Sequence, residues 1–326
     1  MELIVKKSKV WEIKAGGYEA VIAPEIGGNV IALRKGDFDV LRHYDSYEEV
    51  AKAPVVYGLP ILFPPNRIDA GRFEFSGRTY QFPISEKQTN NSLHGFLSHR
   101  PWSFDVIKSD EDEAVVSLSY KSDRDEDYYS YYPHDFTIKM VYTLNGHGLH
   151  QDIAISNAGK EDMPLGLGWH TAFALKFKEG VDPDNVKVKV SIGERVELSD
   201  RGLPTGVVSP LSDDEIKFRQ EGQSPLYAVM DDHYTINPIE KDGELFHGAL
   251  LEDVASGARV VYRVDPVYKH WMIWNCFKEG SFICIEPQNW RVNAPNLDMS
   301  AEESGMDHIV PGGTYRAKAS IYVEGV

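Results

Sequence analysis

Disulfides, membrane spans and basic surfaces all find little support in this chain. Its 326 residues include two cysteines, Cys276 and Cys284. Both lie in apolar surroundings, and two are too few for a disulfide-stapled scaffold, so buried free thiols are expected. No apolar run approaches the roughly 20 residues that a helix needs to cross a bilayer, and no membrane partner is expected. Lys and Arg number 34 against 50 Asp and Glu, for a formal net charge of −16. They form no basic stripe, which argues against nucleic-acid phosphates and anionic lipid surfaces as partners. The opening Met1-Glu2-Leu3-Ile4-Val5-Lys6-Lys7 has no long apolar core of a secretion signal, so a cytoplasmic address is expected. H-E-x-x-H, G-x-S-x-G, a Walker A loop and paired C-x-x-C are all missing. His147-Gly148-Leu149-His150, in a turn, is too little for a metal site. Charge and motifs leave a neutral small molecule as the expected partner, with neither metal nor cofactor.

Long amphipathic helices, low-complexity linkers and tandem repeats are absent too, which leaves short strands and turns. Residues 18–23 and 30–33 read as strands around Pro24 and Gly27-Gly28, and 44–53 as a short helical turn. Three prolines in 57–68 exclude a long helix and a central strand. Residues 72–75 and 79–82 alternate across Ser76-Gly77-Arg78 as a hairpin, and 103–107 pairs with 114–120 across an acidic turn. Between these hairpins, 90–102 reads as a loop carrying His94 and His99. In 136–144 every second residue is large and apolar, and the period of two resumes in 149–156 and again at Val186, Val188, Val190 and Ile192. Later strands are expected over 257–264, 271–277, 282–285 and 314–323. So many short strands need two packed sheets to bury their alternate faces, so the expectation is all-β, one large antiparallel β-sandwich domain over 1–326.

Two places in this pattern carry side chains that ask for an explanation. Pro164-Leu165-Gly166-Leu167-Gly168-Trp169-His170 delivers one histidine among apolar residues, with glycines that let the backbone turn or approach a ligand closely. His170 is either a hydrogen-bonded core residue or a proton donor with a pKa near neutrality. In Phe282-Ile283-Cys284-Ile285-Glu286-Pro287-Gln288 a carboxylate ends an apolar strand. Such a group must be paired, hydrated or used, unless the strand has already reached solvent.

The ordered set Asn66-Arg67 with Gly71-Arg72-Phe73, Leu93-His94-Gly95, Gly168-Trp169-His170, Asp231, and Glu286-Pro287-Gln288 with Ala294-Pro295-Asn296 resembles the aldose 1-epimerase (galactose mutarotase) family. The resemblance spans most of the chain. It implies a galactose mutarotase-like supersandwich and cofactor-independent interconversion of the α and β anomers of a free aldose such as glucose or galactose. Carried over residue by residue, it makes Glu286 the base and His170 the acid, with Arg67, His94 and Asp231 binding the sugar. A one-residue slip would put Asp232 in the place of Asp231. Phe96 and Thr171-Ala172 depart from common forms of the family, which bears on sugar preference.

Anomerisation needs such a set, because the anomeric hydroxyl must lose a proton while the ring oxygen gains one. An ionised Glu286 beside a protonated His170 would suit both transfers. Arg67 offers several donors to sugar oxygens, Asp231 can accept from hydroxyls, and Trp169 or Trp290 could cover a sugar face. Two other functions fit the same fold. A hexose-6-phosphate 1-epimerase would need a cation cluster, for which Arg67, Arg72 and Arg100 are the candidates. A non-catalytic carbohydrate-binding protein would need the binding residues but not the acid and base.

Overall fold

The computed structural model describes residues 3–326, so Met1 and Glu2 of the opening segment lie outside it. Two eight-stranded sheets carry the architecture. The first runs, edge to edge, Ser103–Ser109, Glu113–Lys121, Phe136–Asn145, Gly148–Asn157, Thr314–Glu324, Arg259–Val264, Gly248–Asp253 and Val186–Val190. Every pairing is antiparallel. The expected alternation is visible in Phe136–Asn145: Phe136, Ile138, Met140, Tyr142 and Leu144 are buried, while Thr137 and Lys139 face solvent. A smaller sheet from Ile4–Lys7 to Phe38–Asp39 packs on this one at Glu113–Lys121 and Phe136–Asn145.

The second large sheet positions the site. Its order is Pro204–Ser209, Ile192–Leu198, Asp231–Ile236, His270–Trp274, Phe282–Gln288, Gly168–Trp169 and Ile61–Leu62, and Thr171–Ala174 also pairs with Phe282–Gln288. Trp271, Ile273, Ile283 and Ile285 turn into the main core. There Trp271 and Phe173 meet Tyr262 of the first sheet, with ring centroids 6.3 and 5.2 Å apart, and Thr171 Oγ1 lies 3.1 Å from the Tyr262 hydroxyl. Because side chains alternate along a strand, the residues between these ones point the other way, toward the cleft.

The all-β expectation holds, and the two sheets form the antiparallel supersandwich. Several local expectations need correction. The period-two run from Val186 to Ile192 is not one strand: it breaks at Ser191, where the chain leaves the first sheet and enters the second. Alternation survives the crossing because both sheets bury their side chains in the same core. The strand expected over 271–277 ends at Trp274, since Cys276, Phe277 and Lys278 all take left-handed φ values. The loop over 90–102 includes a short strand, Asn91–Leu93, paired with Arg67–Asp69. Residues 161–164 read as a poor strand, yet Met163–Leu165 pairs with Asp307–Ile309. Asp231–Ile236 carries too many polar residues to show a strand pattern, and Asp213–Gln220 forms a helix through a Ser212/Glu215 capping box. Both cysteines are free thiols, as expected.

Candidate active site

His170 sits between two short strands whose neighbouring side chains are spent on the core. Trp169 donates its indole N–H to the Tyr268 hydroxyl at 2.6 Å, and Thr171 meets Tyr262. Alternation therefore turns His170 to the opposite face, and its backbone N–H is fixed by the Pro60 carbonyl at 3.1 Å. The flanking glycines serve this packing. A Cβ on Gly166 would lie 2.5 Å from the Trp290 ring, and one on Gly168 would lie 2.9 Å from Pro65 Cβ.

Glu286 follows the same logic one strand away. Ile283 and Ile285 enter the core, so Cys284 and Glu286 face the other side, and Met272 is the Cα partner of Glu286. The carboxyl does not reach solvent where the strand ends, because Glu286 is only 2% exposed and His170 only 5%. His170 Nε2 lies 3.2 Å from Glu286 Oε1. His170 Nδ1 and Glu286 Oε2 have no hydrogen-bond partner in the protein. Leaving a buried polar group unpaired costs about 1–3 kcal/mol, and both atoms belong to residues that line the same cleft.

Burial disfavours charge on both groups. It pushes the Glu286 carboxyl well above the usual carboxylate range, with Asp231 adding to the effect and Arg67 opposing it. It also brings His170 down to about 3. Burial thus works against the expected ionised Glu286 and protonated His170. The physical reason is desolvation, the largest influence on each group.

The other expected residues meet this pair. Arg67 and His94 come from the two strands paired through Arg67 and Leu93, and His94 donates its backbone N–H to the Asn66 carbonyl at 3.0 Å. The His94 ring stands edge-on to His170, centroids 5.1 Å apart, and burial holds it neutral by lowering its pKa well below 6.5. Arg67 is gripped by Glu86 through Nε at 2.9 Å and Nη2 at 3.1 Å, and its Nη2 also lies 3.5 Å from Asp231 Oδ2. Register decides between the two aspartates. Asp231 pairs with Trp274 and shares its face, whereas Asp232 points the other way to Arg195, at 2.5 Å.

Together His170, Glu286, Arg67, His94 and Asp231 line one cleft of about 220 Å³. Asn66, Val55, Val56, Leu93, Met272 and Trp274 complete its wall. Trp274 is the aromatic surface here, with its ring centroid 5.9 Å from that of His170. Trp169 and Trp290, expected to cover a sugar face, are both 1% exposed and donate to Tyr268 and to the Pro65 carbonyl. Sequence reasoning missed Trp274 and Glu86. Trp274 could have been found from its even spacing to Met272 on the expected strand, but Glu86 sits in a polar loop and gives no such signal. Arg72 and Arg100 lie outside the cleft, paired with Glu74 and with Glu126 and Asp127. Among the described residues no helix is long and apolar enough to cross a membrane.

Comparison with known proteins joins this geometry to a family. The sequence pattern described as Aldose 1-epimerase matches residues 9–322. A crystal structure of a galactose mutarotase-like protein from Clostridium acetobutylicum superposes with a TM-score of 0.94 at 34% identity, over 97% of this chain and 95% of that one. The galactose 1-epimerase of Lactobacillus acidophilus NCFM shares the fold, with a TM-score of 0.75 at 15% identity over 98% and 96% of the two chains. The uncharacterized protein YihR of Escherichia coli K12 is 30% identical over 162 residues, 48% of this chain. That match spans about half of YihR's length, 48%.

Proposed function

The chain belongs to the aldose 1-epimerase family, and from that premise we propose that it interconverts the α and β anomers of a free, neutral aldose such as glucose or galactose. It does so as one domain over 1–326, without a cofactor. The observation that carries the reading is the 3.2 Å contact between His170 Nε2 and Glu286 Oε1 in the wall of a cleft sized for a small molecule.

The resting pair holds one proton between a carboxyl and an imidazole. Passing it from Oε1 to Nε2 creates carboxylate and imidazolium with no change in net charge. A sugar favours that form by bringing hydroxyl donors to the unpartnered carboxylate oxygen. Glu286 then takes the proton of the anomeric hydroxyl while His170 gives one to the ring oxygen, and the bond from C1 to the ring oxygen opens. Rotation about C1–C2 presents the other face of the aldehyde. Reclosure returns both protons with the roles exchanged, so each turnover leaves the enzyme as it began. Arg67, His94 and Asp231 bind and orient the sugar, and Trp274 offers an aromatic wall to one of its faces.

A phosphorylated sugar fits less well, since Arg67 is neutralised by Glu86 and the other candidate cations lie elsewhere. A purely binding role would leave the buried acid and base without a use. Polarimetry of freshly dissolved α-galactose and α-glucose tests the reading: the enzyme should speed the approach to equilibrium well beyond the spontaneous rate. Acceleration with hexose 6-phosphates alone would move the substrate class, and none with any free aldose would leave only the binding role.

A further inference from the structure

We propose that Glu86 is a specificity-determining residue that positions Arg67 and sets the charge of the sugar this cleft accepts, excluding sugars that carry a carboxylate. The inference rests on the sugar-binding role given above to Arg67. Arg67 is the only Lys or Arg among the described residues lining the cleft. An arginine at that place would ordinarily welcome an anionic substituent, because its planar fork matches a carboxylate. Here the fork is already filled: Nε and Nη2 both reach the Glu86 carboxylate, at 2.9 and 3.1 Å.

Glu86 is itself held, which makes this more than a passing surface pair. Its Oε2 accepts from Thr89 Oγ1 at 3.1 Å and from Asn91 Nδ2 at 3.2 Å. Asn91 Nδ2 also donates to the Arg201 carbonyl at 2.8 Å, so the loop over 86–91 is tied to the turn over 199–203. The Arg67 guanidinium and these donors hold the Glu86 carboxyl below its ordinary range despite burial, so it stays ionised beside Arg67. From the other side, Gly202 packs flat on the guanidinium, where a Cβ would lie 2.7 Å from its central carbon. The fork therefore cannot swing away from Glu86 toward a ligand.

Two carboxylates, Glu86 and Asp231, thus face the single guanidinium, while the Glu286–His170 pair carries no net charge whether its proton sits on the carboxyl or the imidazole. The balance at the sugar-binding end is one negative charge, which repels an anionic sugar. The remaining donors of Arg67 still serve neutral hydroxyls.

The test compares galactose with galacturonate, binding by calorimetry and anomerisation by polarimetry, in the wild type, E86Q and E86D. The wild type should bind galactose at least tenfold more tightly than galacturonate. E86Q should narrow that ratio at least tenfold, chiefly through tighter binding and a lower KM for the acid, and E86D, which keeps the charge, should preserve most of the preference. An unchanged ratio in E86Q overturns the proposal, and so does a ratio moved equally by E86D, since loss of shape would then be the cause. Should E86Q not fold, the wild type alone decides, because equal binding of the two sugars excludes a charge filter. A protein that binds galactose but does not anomerise it refutes the catalytic reading while leaving this test intact.

Discussion

His170 Nε2 and Glu286 Oε1 are 3.2 Å apart, and each side chain keeps its remaining polar atom, Nδ1 and Oε2, buried without a partner. Backbone pairing sets the two residues side by side: Thr171 pairs with Ile285, next to each of them in the chain. Their separation is therefore held by the sheet as well as by their own contact.

Glu286→Gln keeps the shape of the side chain and removes the carboxylate. Turnover should fall by about 10²–10⁴-fold, as for loss of a positioned acid or base, with galactose binding largely kept. His170→Asn should fall comparably. The double variant should lose far less than the product of the two defects, because the residues handle one proton-transfer event. Polarimetric rates with calorimetric binding check this, and near-normal turnover in Glu286→Gln would remove that residue from the mechanism.

Neighbouring aspartates should behave differently. Asp231 faces the cleft with a half-exposed side chain, so Asp231→Ala should raise KM and hardly move the melting temperature. Asp232 holds Arg195 on the opposite face, so Asp232→Ala should cost about 1.5–3 kcal/mol, the worth of a hydrogen bond to a charged group. Urea titrations and Michaelis plots of the two variants separate the effects.

Trp274→Leu removes an aromatic wall but keeps an apolar one. A sugar face packed on the ring should lose about 0.5–1.5 kcal/mol of binding, read as a KM roughly two- to thirteenfold higher with kcat little changed. An unaltered KM would show that the sugar does not use this wall.

Gly168→Ala should damage a site it does not touch. Its new methyl would lie 2.9 Å from Pro65 Cβ and 3.1 Å from the Pro287 carbonyl oxygen, pressing apart the strands that carry His170 and Glu286. Overpacking of this kind costs about 1–3 kcal/mol. Activity should fall together with the melting temperature, measured on the same preparation.

Acid should destabilise the fold before it titrates ordinary carboxylates. Burial holds His94 and His233 well below 6.5 and brings His170 and His270 to about 3. The unfolded chain takes up these protons below about 6.5 and the folded one does not, so stability falls as pH drops from there toward 3. Each histidine contributes a slope of up to about 1.4 kcal/mol per pH unit. Glu286 runs the opposite way: its raised pKa gives stability that is present below its ordinary 4.5 and lost as pH rises through its folded value. His99, His134, His150 and His247 are lowered as well, and Asp232 is the other carboxyl raised, so eight groups against two leave a net loss. The urea midpoint should be lower at pH 5 than at pH 7, and a flat profile would contradict the buried neutral histidines.

Much was legible in the chain itself. Alternation in Phe136–Asn145, Gly148–Asn157 and Thr314–Glu324 is a local property, since one buried and one wet face impose a period of two on the residues. Local sequence also marked His170 as a lone histidine among apolar residues and Glu286 as a carboxylate at the end of an apolar strand. The resemblance then named Arg67, His94 and Asp231, and all five line one cleft.

Only the tertiary structure decided what depends on pairing. The choice of Asp231 over Asp232 follows from the register against Trp274 and Ile273, which neither residue encodes alone. Glu86 became part of the site because its loop folds over Arg67 from 19 residues away, and a polar loop has no periodicity to betray that. The shifted pKa values of His170 and Glu286 also came from depth: a carboxyl and an imidazole have ordinary pKa values in a sequence. Burial, with 3.2 Å between His170 Nε2 and Glu286 Oε1, disfavours the charged form of each.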